Sequence, residues 1–219
     1  MMKAQTIAAA GLLLTLRVHG QNVIFSGTGF GTYYYDIQQV DACDTSFATL
    51  NMGQLECSLE TVLTLDQVNL DYVVAMNRTQ LSEDMDIYCG KQVIVSVNGQ
   101  PSSLPLFIGD GCVRCANGSA SSDTWDPNGS PGLDFSYTVL SELSSSACAD
   151  GHIDITWEIV DETLYNFDTN GSGTPQGPVA ALGSRSTTPT SASAPSNVNP
   201  NVVPATLATW ARPGLHYSN

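Results

Sequence analysis

The chain has 219 residues, with 21 acids against 7 lysines and arginines, and a formal net charge of −14. So acidic a chain repels phosphate backbones and anionic lipid, which sets nucleic acid and membrane surfaces aside as partners. Every acid lies between Asp36 and Asp168, opposed there only by Arg78, Lys91 and Arg114.

Met1-Met2-Lys3 is a basic start, and the apolar run centred on Ala8 to Leu14 follows it. That run is shorter than the roughly 20 residues a bilayer span needs, so residues 1–20 read as a signal peptide cut after Gly20. The expected location is secreted, extracellular or in a cell wall. Next, Gly27-Thr-Gly-Phe-Gly31 is rich in glycine but opens onto a strand, so it is no phosphate-binding loop. Thr32-Tyr-Tyr-Tyr35 is that strand, and neighbouring tyrosines on it face opposite ways. At least one belongs to the core, and one or two are left to offer rings for sugar stacking. Asp71 to Met76 is an apolar strand. Gln92 to Val97 is a strand entering an Asn98-Gly99 turn, with Leu104 to Ile108 expected as its hairpin partner. Tyr137 to Leu143 has helical spacing, and Asp154 to Val160 alternates as a strand with Trp157 in its core-facing set.

After Asn170 the composition turns to Gly, Ser, Thr, Pro, Asn and Ala, which cannot bury enough apolar surface to offset the entropy of ordering. The sequence therefore divides into a signal peptide (1–20), one β domain (22–168) and a disordered tail (169–219). Asn77, Asn117 and Asn170 each open a glycosylation sequon. Six cysteines, Cys43, Cys57, Cys89, Cys112, Cys115 and Cys148, are an even number behind a secretion signal and read as disulfides. Cys112-Val-Arg-Cys115 has the spacing of a redox or zinc motif, but no second such pair and no histidine lies near it. No metal and no cofactor is expected. With every cysteine paired, a cysteine nucleophile is excluded, and no histidine is placed to serve a serine triad.

Four groups of residues in this order carry a family resemblance. They are Gly31-Thr-Tyr-Tyr-Tyr-Asp36 with Asp41-Ala-Cys43; Cys89-Gly-Lys-Gln-Val-Ile-Val-Ser-Val-Asn-Gly99; Asp110-Gly-Cys-Val-Arg-Cys115; and Gly132-Leu-Asp-Phe-Ser136 followed by Gly151 to Trp157. Together they resemble the small secreted fungal proteins of the double-psi β-barrel superfamily, which includes expansin N-terminal domains, barwin, rare lipoprotein A-like proteins and family 45 endoglucanases. The resemblance implies a mainly β fold: a six-stranded, disulfide-stapled double-psi barrel with short helices. It departs from the family at Asp41-Ala-Cys43-Asp44, in a long insertion between Asp44 and Val68 that brings Cys57, and in a long segment from Ala116 to Pro131.

In the family, an acid at the position of Asp134 lies on the floor of an open groove. Leu133 and Phe135 point into the core, so Asp134 points out of it. The resemblance places Thr32, Tyr34, Asp110 and Asp134 along a polysaccharide groove. Asp110 has an alternative reading, as a cap on the turn before Cys112. Asp36 and Asp134 are the candidate catalytic pair, since inverting glycosidases hold two carboxyl groups roughly 6.5–9.5 Å apart. The residues around Asp36 depart from the enzymes' pattern, which favours a non-catalytic monomer that binds or loosens cell-wall polysaccharide (β-glucan, cellulose or chitin). The rivals are a protein-binding module, such as a cysteine-protease inhibitor or an effector acting on a secreted host protein, and a family 45-like endoglucanase. By analogy with barwin-like barrels Cys43 pairs with Cys89, leaving Cys57–Cys112 and Cys115–Cys148.

Overall fold

The computed structural model describes residues 21–116 and 131–179. Its strands are β1 (Val23–Tyr35), β2 (Asp41–Ala42), β3 (Thr45–Ser46), β4 (Val73–Asn77), β5 (Lys91–Val97), β6 (Gln100–Pro101), β7 (Leu106–Cys112), β8 (Gly132–Ser136), β9 (His152–Thr163), β10 (Tyr165–Asn166) and β11 (Gly177–Pro178). Short helices α1 (Leu65–Val68), α2 (Arg78–Glu83), α3 (Met85–Tyr88), α4 (Tyr137–Leu143) and α5 (Ala147–Asp150) connect them.

Seven strands form one mixed sheet in the order β6-β5-β7-β4-β8-β1-β9, and β5 also pairs with β9. That last pairing joins β5, β7, β4, β8, β1 and β9 in a ring of hydrogen-bonded neighbours, with β6 appended outside. Six strands are expected from the resemblance; the sheet has seven, six of them in this ring. Two pairings in the ring are parallel, β1 with β8 and β4 with β7, and the others are antiparallel.

The sequence pattern explains which side each residue takes. In β9, Ile153, Ile155, Trp157 and Ile159 are buried while Asp154, Thr156 and Glu158 are exposed, as strict alternation requires. One core cluster takes Val74 and Met76 of β4, Val93 and Val95 of β5, Leu133 and Phe135 of β8 and those β9 residues. The alternate residues of β4, Val73 and Ala75, belong to a second cluster with Tyr34, Tyr35, Leu55, Leu65 and Phe107. A strand covered on both faces reads as a continuous apolar run, which is how Val73 to Met76 reads.

Two glycines are required by geometry. Gly90 has φ +75°, and a Cβ there would stand 1.8 Å from the Tyr165 carbonyl oxygen; its own N–H donates to Ile108 O at 2.7 Å. Gly27 leaves room for the Trp157 ring, which a Cβ would meet at 2.1 Å. The Asn98-Gly99 turn forms with both residues at positive φ. Its immediate partner strand is Gln100–Pro101, however, and not Leu104 to Ile108. Leu106 and Phe107 pair further down β5, with Val93 and Gln92. The Tyr137–Leu143 helix forms as expected, with the Ser136 side chain accepting from Val139 N–H as its cap.

Three disulfides close at Cys43–Cys148, Cys57–Cys89 and Cys112–Cys115, with Cα–Cα distances of 5.2, 5.6 and 5.3 Å. All six cysteines are paired, but none of the three expected partners is right. The insertion after Asp44 lays the short 3-10 turn Glu56–Ser58 against β7 and brings Cys57 to the entry of β5, where it takes Cys89. Cys43 pairs instead with Cys148 of α5, and Cys112 and Cys115 close on each other.

Hydrogen-bonded structure also runs past the expected domain end at Asp168. The buried Asp168 carboxylate accepts from Ser172 N–H and O–H and from Gly173 N–H, and β11 pairs with β10. Those acceptor bonds hold the Asp168 carboxyl below its ordinary value against the opposing effect of desolvation. The signal peptide and the tail beyond Val179 lie outside the described residues.

Candidate binding site

Register places three of the expected site residues in one line. Thr32 of β1 pairs with Asp134 of β8, Asp134 with Ala75 of β4, and Ala75 with Asp110 of β7. At about 4.8 Å per strand, the row Thr32–Asp134–Ala75–Asp110 crosses roughly 15 Å of sheet. Ala75, the smallest of the four, keeps the middle of the row low. Tyr34 joins from β1, its hydroxyl donating to Asp110 Oδ2 at 3.0 Å.

Asp134 does point away from Leu133 and Phe135, which belong to the core cluster of the ring. It is not on an open floor, though, being only 2% exposed. The turn through Cys112–Cys115 lies over it. Arg114 Nη2 donates to Asp134 Oδ1 and Oδ2, each at 3.2 Å, and to Thr32 Oγ1 at 3.4 Å. The Thr32 hydroxyl donates to Asp134 Oδ1, and the Cys112 sulfur sits 3.2 Å from Oδ2. At the other end of the row, Asp110 Oδ1 accepts from Glu56 N–H at 3.1 Å and from its neighbour Gly111 N–H at 2.8 Å. Asp110 lies within β7, and both partners of this oxygen are main-chain N–H groups. The open groove implied by the resemblance is roofed at both ends by elements that depart from or extend the family pattern. Glu56 comes from the insertion, and Arg114 from between two cysteines.

Burial sets the acidity of both carboxyls. Desolvation raises Asp110 to about 6, against the lowering effect of the Glu56, Gly111 and Tyr34 hydrogen bonds. Desolvation likewise raises Asp134, opposed by the charge and hydrogen bonds of Arg114. The Asp134 side chain is almost wholly buried, while the Arg114 side chain is 28% exposed. The exposed part of this end of the row is therefore the Arg114 guanidinium, paired with a carboxylate beneath it.

Asp36 stands apart. It is fully buried at the end of β1, and its two oxygens accept from Gln39 N–H and Thr138 N–H. Its backbone oxygen accepts from the Asn51 amide. Both carboxylate oxygens are thus committed to backbone, one in a turn and one in the first turn of α4. Asp36 is four residues from Thr32 along β1, about 13 Å in an extended strand, and is not opposite Asp134.

The tyrosines follow the same logic. Tyr35 is fully buried, its hydroxyl donating to Leu70 O and accepting from Val73 N–H. Tyr34 is 7% exposed and offers no open platform. Tyr33 is half-buried, with edge contacts to Phe47 and Tyr137. Asn77 caps α2 by accepting from Thr79 N–H, and Asn170 is exposed; Asn117 lies outside the described residues.

Arg114 is the residue that sequence reasoning passed over. Its signal was present, as one of three cations in an acidic domain. Among the described residues all three are ion-paired: Arg78 with Glu56, Lys91 with Asp161 and Arg114 with Asp134. Only the acid beneath Arg114 is buried to this degree.

No family model and no curated protein matches the chain. Among solved structures, an expansin from Clavibacter michiganensis aligns at 16% identity with a TM-score of 0.36, over 64% of this chain and 52% of that one. A mutant of that expansin in complex with cellohexaose aligns at 15% and 0.36 over the same shares. The Streptomyces papain inhibitor aligns at 20% and 0.37, over 64% of this chain and 99% of that one. The chain thus spans about half the length of the expansins it aligns with.

Proposed function

We propose that the protein is a secreted, non-catalytic double-psi β-barrel that binds a neutral cell-wall polysaccharide along the Thr32–Asp134–Ala75–Asp110 row. The two parallel pairings within an otherwise antiparallel ring support the double-psi reading. Three disulfides support secretion. The observation that carries the binding reading is the row itself: four strands line up two carboxyls with the Thr32 and Tyr34 hydroxyls, and the turn after β7 lays the Arg114 guanidinium on one end. Sugar hydroxyls are both donors and acceptors, so Arg114 and Asp110 offer complementary partners for them. The backbone commitments of both Asp36 carboxylate oxygens argue against its use in hydrolysis.

The test is depletion of the purified protein by insoluble cellulose, chitin and β-glucan, with reducing-end release measured on the same samples. The expected result is retention on at least one polymer, weakened about tenfold by Arg114→Ala, with no release of ends. Release of reducing ends would return the glycosidase reading.

A second reading, a protein-binding module, is favoured by a different feature. Leu59 and Val62 are 46% and 47% exposed on the insertion, and Val62 is held at φ +51°, unusual for a β-branched residue. Retention on none of the polymers, together with inhibition of papain, would select it.

A further inference from the structure

The Cys112–Cys115 pair has surroundings that the other two disulfides lack. Asp134 Oδ2 lies 3.2 Å from the Cys112 sulfur, and the guanidinium of Arg114, the residue between the two cysteines, rests on the same carboxylate. The other side of the pair borders a cleft. Cys115 forms part of the wall of a cleft of about 230 Å³, with Phe25, Gly27, Met76, Leu133 and Trp157 among its neighbours. Val113, the other residue between them, is 74% exposed.

We propose that Cys112–Cys115 is a redox-active disulfide that exchanges with small external dithiols, and that Asp134 exchanges a proton with the Cys112 sulfur as it opens and closes. One thiolate of the dithiol attacks the Cys115 sulfur from the cleft, and the Cys112–Cys115 bond breaks. Its electron pair passes to Cys112, which takes up a proton from solvent relayed by the Asp134 carboxylate, and Asp134 ends ionised as it began. The second thiol of the dithiol gives its proton to solvent and attacks its partner's sulfur in the mixed disulfide. Cys115 leaves as a thiolate and is protonated by solvent. Two electrons move from dithiol to protein: the dithiol ends as a disulfide and the protein as two thiols.

Three arguments support this assignment. A cation beside a cysteine stabilises the departing thiolate. A buried carboxyl with a raised proton affinity is suited to giving a proton and taking it back. Among the described residues, the groups facing that carboxyl are Arg114, the Thr32 hydroxyl and the Cys112 sulfur, while Ala75 on the adjoining strand offers no charge. Finally, the bond closes a sequence separation of 3, against 32 and 105 for the others, so opening it releases the least chain entropy. The fold therefore survives its reduction. Both cysteines are buried in the closed form, at 4% and 0% exposure, so exchange requires the turn carrying Val113 and Arg114 to shift and admit a small donor from the cleft. This inference does not depend on polysaccharide binding.

The test treats the full chain with graded dithiothreitol at pH 8 and alkylates freed thiols for peptide mapping, with near-ultraviolet circular dichroism in parallel. Cys112 and Cys115 should be labelled at a dithiol concentration at least tenfold below that for Cys57 and Cys89, with the native spectrum kept. Labelling of all four together, or only as the spectrum collapses, overturns the proposal. In Asp134→Asn the opening of this bond should slow about tenfold and its rate lose a pH inflection, with Cys43–Cys148 unaffected. An unchanged rate and pH profile would remove Asp134 from the step.

Discussion

Two buried acids, Asp36 just past the end of β1 and Asp134 on the neighbouring β8, are answered in different ways. Asp36 follows the strand and is satisfied by main-chain N–H groups of Gln39 and Thr138. Asp134 lies beside Thr32, earlier on the strand, and is satisfied by side chains, the Thr32 hydroxyl and the Arg114 guanidinium. Main-chain donors are fixed by the fold, so an acid that serves them is holding two segments together. Side-chain donors can be rearranged by a ligand or by movement of one turn. Burial alone does not separate a structural acid from a functional one; the identity of its partners does.

The comparison predicts its largest effect at Asp36. Asp36→Ala leaves two buried N–H groups without acceptors and should cost about 2–5 kcal/mol, measured by urea unfolding. A loss below about 1 kcal/mol would mean those bonds are replaceable and the distinction is wrong. Next comes Arg114→Ala, which strips a buried carboxylate of its counter-charge. The expected loss is about 1–3 kcal/mol near neutral pH, less than for a wholly buried pair because the guanidinium is partly exposed. Removing the cation raises the Asp134 carboxyl further, so the deficit should be full where Asp134 is ionised and fade as acid protonates it. A deficit that grows on acidification would contradict the pairing.

The smallest effect belongs to Asp110. Its folded carboxyl sits at about 6, above its unfolded value near 4. The folded form therefore holds the proton more tightly. Its contribution is largest below the unfolded value and is lost as pH rises through the folded one. Stability should fall between about pH 4 and 6, and Asp110→Asn should reduce that slope, by on the order of 1 kcal/mol across the window. Asp134 and Asp71 are raised with the same sign, so the slope is reduced without vanishing. A slope identical in the variant would place Asp110 outside the titration.

Much of this was legible in the sequence where local pattern decides. The alternation of Ile153, Ile155, Trp157 and Ile159, the Asn98-Gly99 turn and the Ser136-capped helix all follow from spacing and turn chemistry. The direction of Asp134 followed too, because Leu133 and Phe135 bracket it. What covers Asp134 was not legible. Its cover is the Cys112–Cys115 turn carrying Arg114, and the insertion carrying Glu56 and Cys57 likewise covers Asp110, both segments whose path is set by long-range closure. The disulfides were misread for the same reason, since the family analogy had no place for Cys57 and its arrival reassigned Cys89 and Cys43. The extent of β1 back to Val23 was also hidden, because glycines at 27, 29 and 31 weaken its strand pattern.

The most direct test of the account compares Asp36→Asn with Asp134→Asn, both held well below their melting temperatures, for retention on the polysaccharide that captures the wild-type protein. The account predicts that Asp134→Asn weakens retention about tenfold with a small change in stability, while Asp36→Asn lowers stability markedly and leaves retention of the folded fraction unchanged. Undiminished retention in Asp134→Asn, or loss confined to Asp36→Asn, would contradict it.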